Sequence, residues 1–244
     1  ASVRAVMSGA DAVVNCVGIL SESGRNSFAA VQNEGAERIA RIAREEGVAR
    51  LVHFSAIGAD PESDSEYART KALGEAHVRA AFPNATILRP SVIFGSEDGF
   101  FNKFAAMSKL GPVLAIVGGK TKFQPVYVDD VAQAAVMGVL GTARSGIYEL
   151  GGPQVATLRS LIVQMLGIIQ ARRLVINLPF WVGSVIGGTL GAAQAVTLGL
   201  FHNSILTRDQ VRQLRHDNVV SNGAMGFGDL GIEPTPIETV LPEY

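Results

Sequence analysis

The stretch LVHFSAIGADPESDSEYARTKALGEAHVRAAFPNATILRPSVIFG, Leu51 to Gly95, reads as a buried strand, a helix and a second buried strand. Its two ends are short apolar runs rich in Val, Ile and Leu, while Ser63 to Phe82 has helical spacing and stops at Pro83. Ser63 and Glu66 have the S-x-x-E spacing of a capping box, so the helix is expected to begin at Ser63. Tyr67 and Lys71 stand four residues apart and share one helix face. An ammonium beside a phenol favours the phenolate, which makes a tyrosine usable as an acid or base near neutral pH. The same spacing also suits an edge tyrosine and a solvated lysine, so the surroundings decide what the pair does.

The pattern continues on both sides. DAVVNCVG (Asp11 to Gly18) reads as a buried strand ending in glycine, and the helix after it places Phe28, Val31, Ile39 and Ile42 on one face. Strand and helix in alternation imply a parallel sheet covered on both faces, an α/β doubly wound domain, expected over residues 1–150. Beyond Gly95 come a helix in DGFFNKFAAMSKL, a hairpin turned at Gly118 and Gly119, and a helix from about Asp129. The strand SGIYELGG follows, then a helix capped by Thr157. A second capping box, TRDQ, stands at Thr207 to Gln210, and residues 151–244 read as a small C-terminal α/β appendage.

Composition closes off several classes of function. With 48% hydrophobic and 18% charged residues and a formal net charge of −1, the chain has no electrostatic footprint for nucleic acid. Cys16 is its one cysteine, which excludes a disulfide framework and suits a reducing compartment. His53, His77, His202 and His216 lack metal-ligand spacing, so no metal site is expected.

Taken in order, these pieces resemble the extended short-chain dehydrogenase/reductase family. DAVVNCVG resembles its strand ending beside the cofactor, Asn33 with Gly35 its helical Asn-x-Gly element, and Tyr67 with Lys71 its Tyr-x-x-x-Lys pair. LRPSVIFG resembles its proline-containing strand end beside nicotinamide, and VYVDDVAQA its late strand-to-helix signature. The resemblance implies a Rossmann-like fold and an NADP(H) or NAD(H) cofactor. It assigns Cys16, Val17, Gly18, Ser55, Ala56, Tyr67, Lys71, Pro90 and Val92 to the cofactor and makes Tyr67 and Lys71 the catalytic pair.

Two departures qualify it. Active members carry a hydroxyl where this chain has Ala56, with Ser55 one position early, and a one-residue shift turns a strand side chain to the opposite face. Tyr67 and Lys71 are therefore expected to be vestigial as catalysts. The family's phosphate-binding Gly-x-x-Gly-x-x-Gly turn occurs nowhere in the sequence. Its absence, with that of the first strands, leads to the expectation that the chain is the body of a longer protein.

Within that family NCVGILSESGRNSFAAVQNEGA, VHFSAIGADPESDSEYARTKALGE, FPNATILRPSVIFGSEDGFFNKFA, FQPVYVDDVA and YELGGP resemble nucleotide-binding accessory subunits of respiratory complex I (NADH:ubiquinone oxidoreductase) and their alphaproteobacterial homologues. The likeness implies complex I subunits as partners at the junction of the hydrophilic and membrane arms. It also implies a peripheral place on the cytoplasmic face of a bacterial inner membrane or the matrix face of the mitochondrial one. Between Arg173 and Arg208 no charged residue occurs, and the tract from Leu178 to Phe201 is expected to dock on a partner or a membrane surface. An active NAD(P)-dependent reductase or epimerase, with Tyr67 as acid/base, is the rival reading, and a nucleotide-redox sensor the third.

Overall fold

The computed structural model describes residues 2–196 and 206–244. The chain opens with α1 (Val3–Met7), β1 (Ala12–Asn15), a π-helical segment (Ala29–Glu34), α2 (Gly35–Glu45), β2 (Arg50–Phe54), α3 (Glu66–Ala81) and β3 (Thr86–Pro90). Next come β4 (Ile93–Phe94), α4 (Phe101–Ser108), β5 (Val113–Val117), β6 (Lys122–Phe123), β7 (Val126–Tyr127), α5 (Val128–Leu140) and β8 (Gly146–Leu150). It closes with β9 (Ala156–Thr157), α6 (Leu158–Ile168), β10 (Leu174–Leu178), α7 (Phe180–Val196), α8 (Arg208–Gln213), α9 (Phe227–Leu230) and α10 (Ile237–Val240).

Two compact units emerge, and they interleave along the chain. The first comprises Ala1–Pro90, Val131–Leu150 and Ser221–Glu233. The second comprises Ser91–Asp130, Gly151–Val220 and Pro234–Tyr244. The sequence reading divides the chain once, near residue 150, because composition gives no sign that later segments return to an earlier sheet.

The first unit holds a parallel sheet in the order β1-β2-β3-β8. On one face α2 and α3 pack through Ala36, Ala40, Val78 and Phe82 against Leu51. On the other lies α5, where a Cβ on Gly138 would stand 2.6 Å from a Val52 methyl, so glycine is what lets that helix come close. Both faces are thus covered, as the near-continuous apolar strands require. The helix expected after β1 is π-wound over Ala29–Glu34 before it turns α-helical. That wider turn breaks the single 3.6-residue face read from the sequence: Phe28 and Ile42 are buried, Val31 and Ile39 only half-buried.

The expected start of α3 is corrected by two residues. Ser65, with extended backbone, is the N-cap and its Oγ accepts from the Ala68 amide at 3.3 Å. Ser63 shapes the preceding turn instead, accepting from the Ser65 amide at 3.2 Å. Gly74 sits where α3 crosses the π-helical segment, and a Cβ there would lie 2.1 Å from the Gln32 carbonyl oxygen.

In the second unit the core is formed by Phe94, Phe101, Leu114, Leu161, Met165 and Ile237. No hairpin forms at Gly118 and Gly119. Gly118 does make a turn, with φ +72° and its carbonyl accepting from Thr121, but the flanking strands part company. β5 pairs parallel with β10, β6 antiparallel with β9, and β7 parallel with β4. Each partner is distant in sequence, and burial of Leu114 and Ile116 of β5 in the core of this unit outweighs the local turn. Two expected caps are present: Thr157 accepts from Ser160, and Thr207 with Gln210 forms a reciprocal capping box. Among the described residues no helix is long and apolar enough to cross a membrane.

Candidate functional site

All the residues assigned to a cofactor lie in the first unit except Val92, which falls in the second with its carbonyl accepting from the Val126 amide. β1 ends at Asn15, and Cys16, Val17 and Gly18 continue from it with exposed side chains or backbone. This is the carboxyl edge of a parallel sheet, where the strands of such folds present ligands.

Lys71 reaches that edge from α3. It is 5% exposed, and its Nζ donates to the Phe54 carbonyl at 3.0 Å. The same ammonium lies 6.0 Å from the centre of the Tyr67 ring and would be 3.4 Å from a Cβ on Gly18. Burial pushes its pKa down to about 8, against the opposing pull of Glu75 one turn along the helix. Lys71 is therefore a buried cation at the pH of a cell, aimed at the strand end and not solvated. Tyr67 is half-buried with its ring edge-on to Phe28 at 5.9 Å.

Burial distinguishes Ser55 from Ala56 just beyond the end of β2. Ser55 is 5% exposed, and its Oγ has no hydrogen-bond partner; its backbone amide continues the ladder to Leu88. Ala56 takes the half-exposed position next to it. The hydroxyl faces inward and the methyl outward, as alternation along the strand dictates. Pro90 is buried at the end of β3, opposite Leu150, with its carbonyl accepting from Ile57.

Several polar residues that the sequence reading passed over support this edge from behind. Arg89 in β3 makes two hydrogen bonds to Glu75 of α3, 2.8 and 2.6 Å, and a third to Glu149 of β8 at 3.3 Å. Glu149 also accepts from the Ser221 amide at 2.8 Å, which ties the returning segment to the sheet. In the strands, Asn15 and His53 are 3% and 1% exposed. A polar residue inside VVNC or LVHF was the available signal, since a buried strand position tolerates such a group only when it is paired.

The set suits one half of a dinucleotide. A buried ammonium with further N–H groups to donate, an exposed strand end closed by glycine, and a proline-terminated strand can hold ribose hydroxyls and a flat ring. Among the described residues no cluster could hold a metal ion.

The chain is 36% identical to the mitochondrial NADH dehydrogenase [ubiquinone] 1 alpha subcomplex subunit 9 of Arabidopsis thaliana, over 100% of this chain and 62% of the relative. It is 35% identical to the mitochondrial NADH-ubiquinone oxidoreductase 40 kDa subunit of Neurospora crassa, over 96% of this chain and 60% of the relative. The chain thus spans about three-fifths of the length of these relatives. Among solved structures, a dTDP-4-dehydrorhamnose reductase of Clostridium acetobutylicum superposes with a TM-score of 0.61 at 18% identity, over 72% of this chain and 69% of that one. That likeness shows the Rossmann-like fold. Residues 1–136 match the family described as NAD(P)H-binding, and the chain belongs to that family.

Proposed function

We propose that this protein is an accessory subunit of NADH:ubiquinone oxidoreductase that holds NAD(H) or NADP(H) as a structural group and does not turn it over. The names of the relatives matched along nearly the whole chain support the assembly. The single observation that carries the non-catalytic reading is the pairing of Ser55 and Ala56. The Ser55 hydroxyl is enclosed, and the neighbouring, more exposed position, Ala56, offers a methyl group. A substrate oxygen placed beside Tyr67 would find no strand hydroxyl to orient it.

In this role Cys16, Val17 and Gly18 form the surface against which the nucleotide lies, and Pro90 closes the floor. Lys71 donates to ribose hydroxyls, and the bound nucleotide stabilises the native state in proportion to its occupancy. The second unit supplies the docking surface. On α7, Trp181 and Val185 face outward at 69% and 55% exposure, and the described part of the tract carries no charge. Such a face suits the junction of the hydrophilic and membrane arms or the adjoining headgroup layer, on the cytoplasmic or matrix side of the inner membrane. Residues 197–201 of the tract lie outside the described residues.

The test is to isolate the intact protein, denature it, and look for NAD(H) or NADP(H) by mass spectrometry. Tyr67→Phe is expected to leave nucleotide retention and complex assembly intact, whereas Lys71→Met lowers retention. If Tyr67→Phe abolishes function while nucleotide stays bound, the protein is an active reductase. That rival rests on the retained 6.0 Å approach of Lys71 to Tyr67.

A further inference from the structure

The segment that carries Cys16, Val17 and Gly18 is held by buried side chains that no comparison assigns. At its start, the Val17 amide donates to Asn15 Oδ1 at 3.1 Å. At its end, the Ile19 carbonyl accepts from Gln32 Nε2 at 2.7 Å, and Gln32 is 1% exposed with Thr70 Oγ1 3.2 Å from its Oε1.

The first anchor has a chemical logic that fixes a proton. A backbone amide can only donate, so the Asn15 atom that meets Val17 is the oxygen, and the nitrogen is left to face His53. Asn15 and His53 stand directly opposite each other in the β1–β2 register, and Asn15 Nδ2 lies 3.0 Å from His53 Nδ1. An amide nitrogen also only donates, so His53 Nδ1 must accept. The imidazole is neutral, since burial pushes its pKa down to about 3 with Lys71 adding to the effect. Its single proton therefore sits on Nε2, an atom with no hydrogen-bond partner. A buried histidine that leaves one nitrogen unmet is not there to satisfy its own polarity. Its ring is matched to Asn15 alone.

We propose that His53 is a positioning residue for nucleotide binding: it orients the Asn15 amide, which sets the backbone of the segment from Cys16 to Gly18 on which the nucleotide rests. The inference rests on the nucleotide-holding role given above. Its consequence is that the loop is in its bound form before the ligand arrives, so binding bears little ordering cost.

The experiment exploits the shapes of the two amides. Asparagine at position 53 places an acceptor near where Nδ1 stands, glutamine places its polar end nearer to Nε2, and leucine offers neither. We expect His53→Asn to retain NADH or NADPH within a few-fold of wild type. His53→Gln and His53→Leu should weaken binding about tenfold, the effect of one lost buried hydrogen bond. A packing role would give the opposite order, because asparagine fills the least volume. Affinity by titration calorimetry that ranks leucine or glutamine above asparagine overturns the proposal. Hydrogen exchange at the Val17 amide in nucleotide-free protein reads the loop separately. Slower exchange in wild type and His53→Asn than in the other two supports the assignment, and equal exchange in all four overturns it. Wild-type protein that binds neither nucleotide removes the nucleotide role, and exchange then shows whether the loop is nonetheless held by His53.

Discussion

Two helices of this protein invert each other's chemistry. α3 runs through the first unit with two of its charges turned inward: Lys71 and Glu75 are 5% and 3% exposed, while Glu66 and Arg79 stay in solvent. α7 has no charge on any described residue and turns Trp181 and Val185 outward. A buried charge survives only where partners are fixed around it, so the inside of α3 is a prepared site. An exposed apolar stripe is costly in water, so the outside of α7 calls for something to cover it. On the function proposed above, ligand recognition and docking fall to separate units, each in an element whose chemistry departs from the ordinary rule of charge outside and hydrocarbon inside.

The contrast can be broken most forcefully at Arg89. Arg89→Met leaves Glu75 and Glu149 without their cation, and a buried pair broken in this way costs about 3–5 kcal/mol. Urea melts of the variant should show that loss, and the triple change with Glu75→Gln and Glu149→Gln should recover much of it. A smaller effect belongs to Gly74→Ala. Helix propensity alone favours alanine by about 1 kcal/mol. The Cβ would stand 2.1 Å from the Gln32 carbonyl oxygen, so we expect a net loss of about 1–3 kcal/mol in the same melts.

Next in size is the pH dependence that Lys71 imposes. Its folded pKa of about 8 lies below the ordinary 10.5, so the folded protein binds fewer protons than the unfolded chain between those values. Stability should therefore rise with pH across that window, and Lys71→Met should flatten the rise, on the order of 1 kcal/mol after relaxation. Nucleotide affinity should move the other way, weakening above pH 8 as the ammonium is lost. His53 gives a parallel case at acid pH. Its pKa of about 3 lies below the ordinary 6.5, so its contribution to stability is lost as pH falls from 6.5 toward 3. Denaturant titrations from pH 3 to pH 10 measure both slopes.

The smallest change in stability is expected on α7. Replacing Trp181 and Val185 by glutamate should alter the melt by no more than about 0.5 kcal/mol, because both side chains are outside the core. Membrane flotation of the same double variant should nevertheless fail where wild type floats. Ile186, by contrast, is half-buried and is a poor place for the same test.

Much of this was legible without coordinates. Apolar runs at strand length alternating with helical spacing specify a parallel sheet with helices on both faces, and Thr157 and the Thr207–Gln210 box announced their caps. Lys71 could be placed beside Tyr67 because i and i+4 share a helix face, and Ala56 could be placed outward because strand side chains alternate. These are local rules, and a linear sequence contains everything they need. The shift of the α3 cap from Ser63 to Ser65 was less accessible, since both serines carry the same chemistry and only the backbone angles at each distinguish them.

Tertiary structure alone decided the rest. The strands around Gly118 found partners far along the chain where a hairpin was expected, because burial in the core of the second unit outweighs a local turn. Asn15 meets His53, and Arg89 joins Glu75 to Glu149, across separations that no spacing rule encodes. Gly74 looks like a weak point in a helix until α3 is seen crossing the Gln32 carbonyl. A polar residue in an apolar run tells the reader that a partner must exist. Which partner it is depends on the register of strands and the approach of helices, and those are fixed only when the whole core has packed.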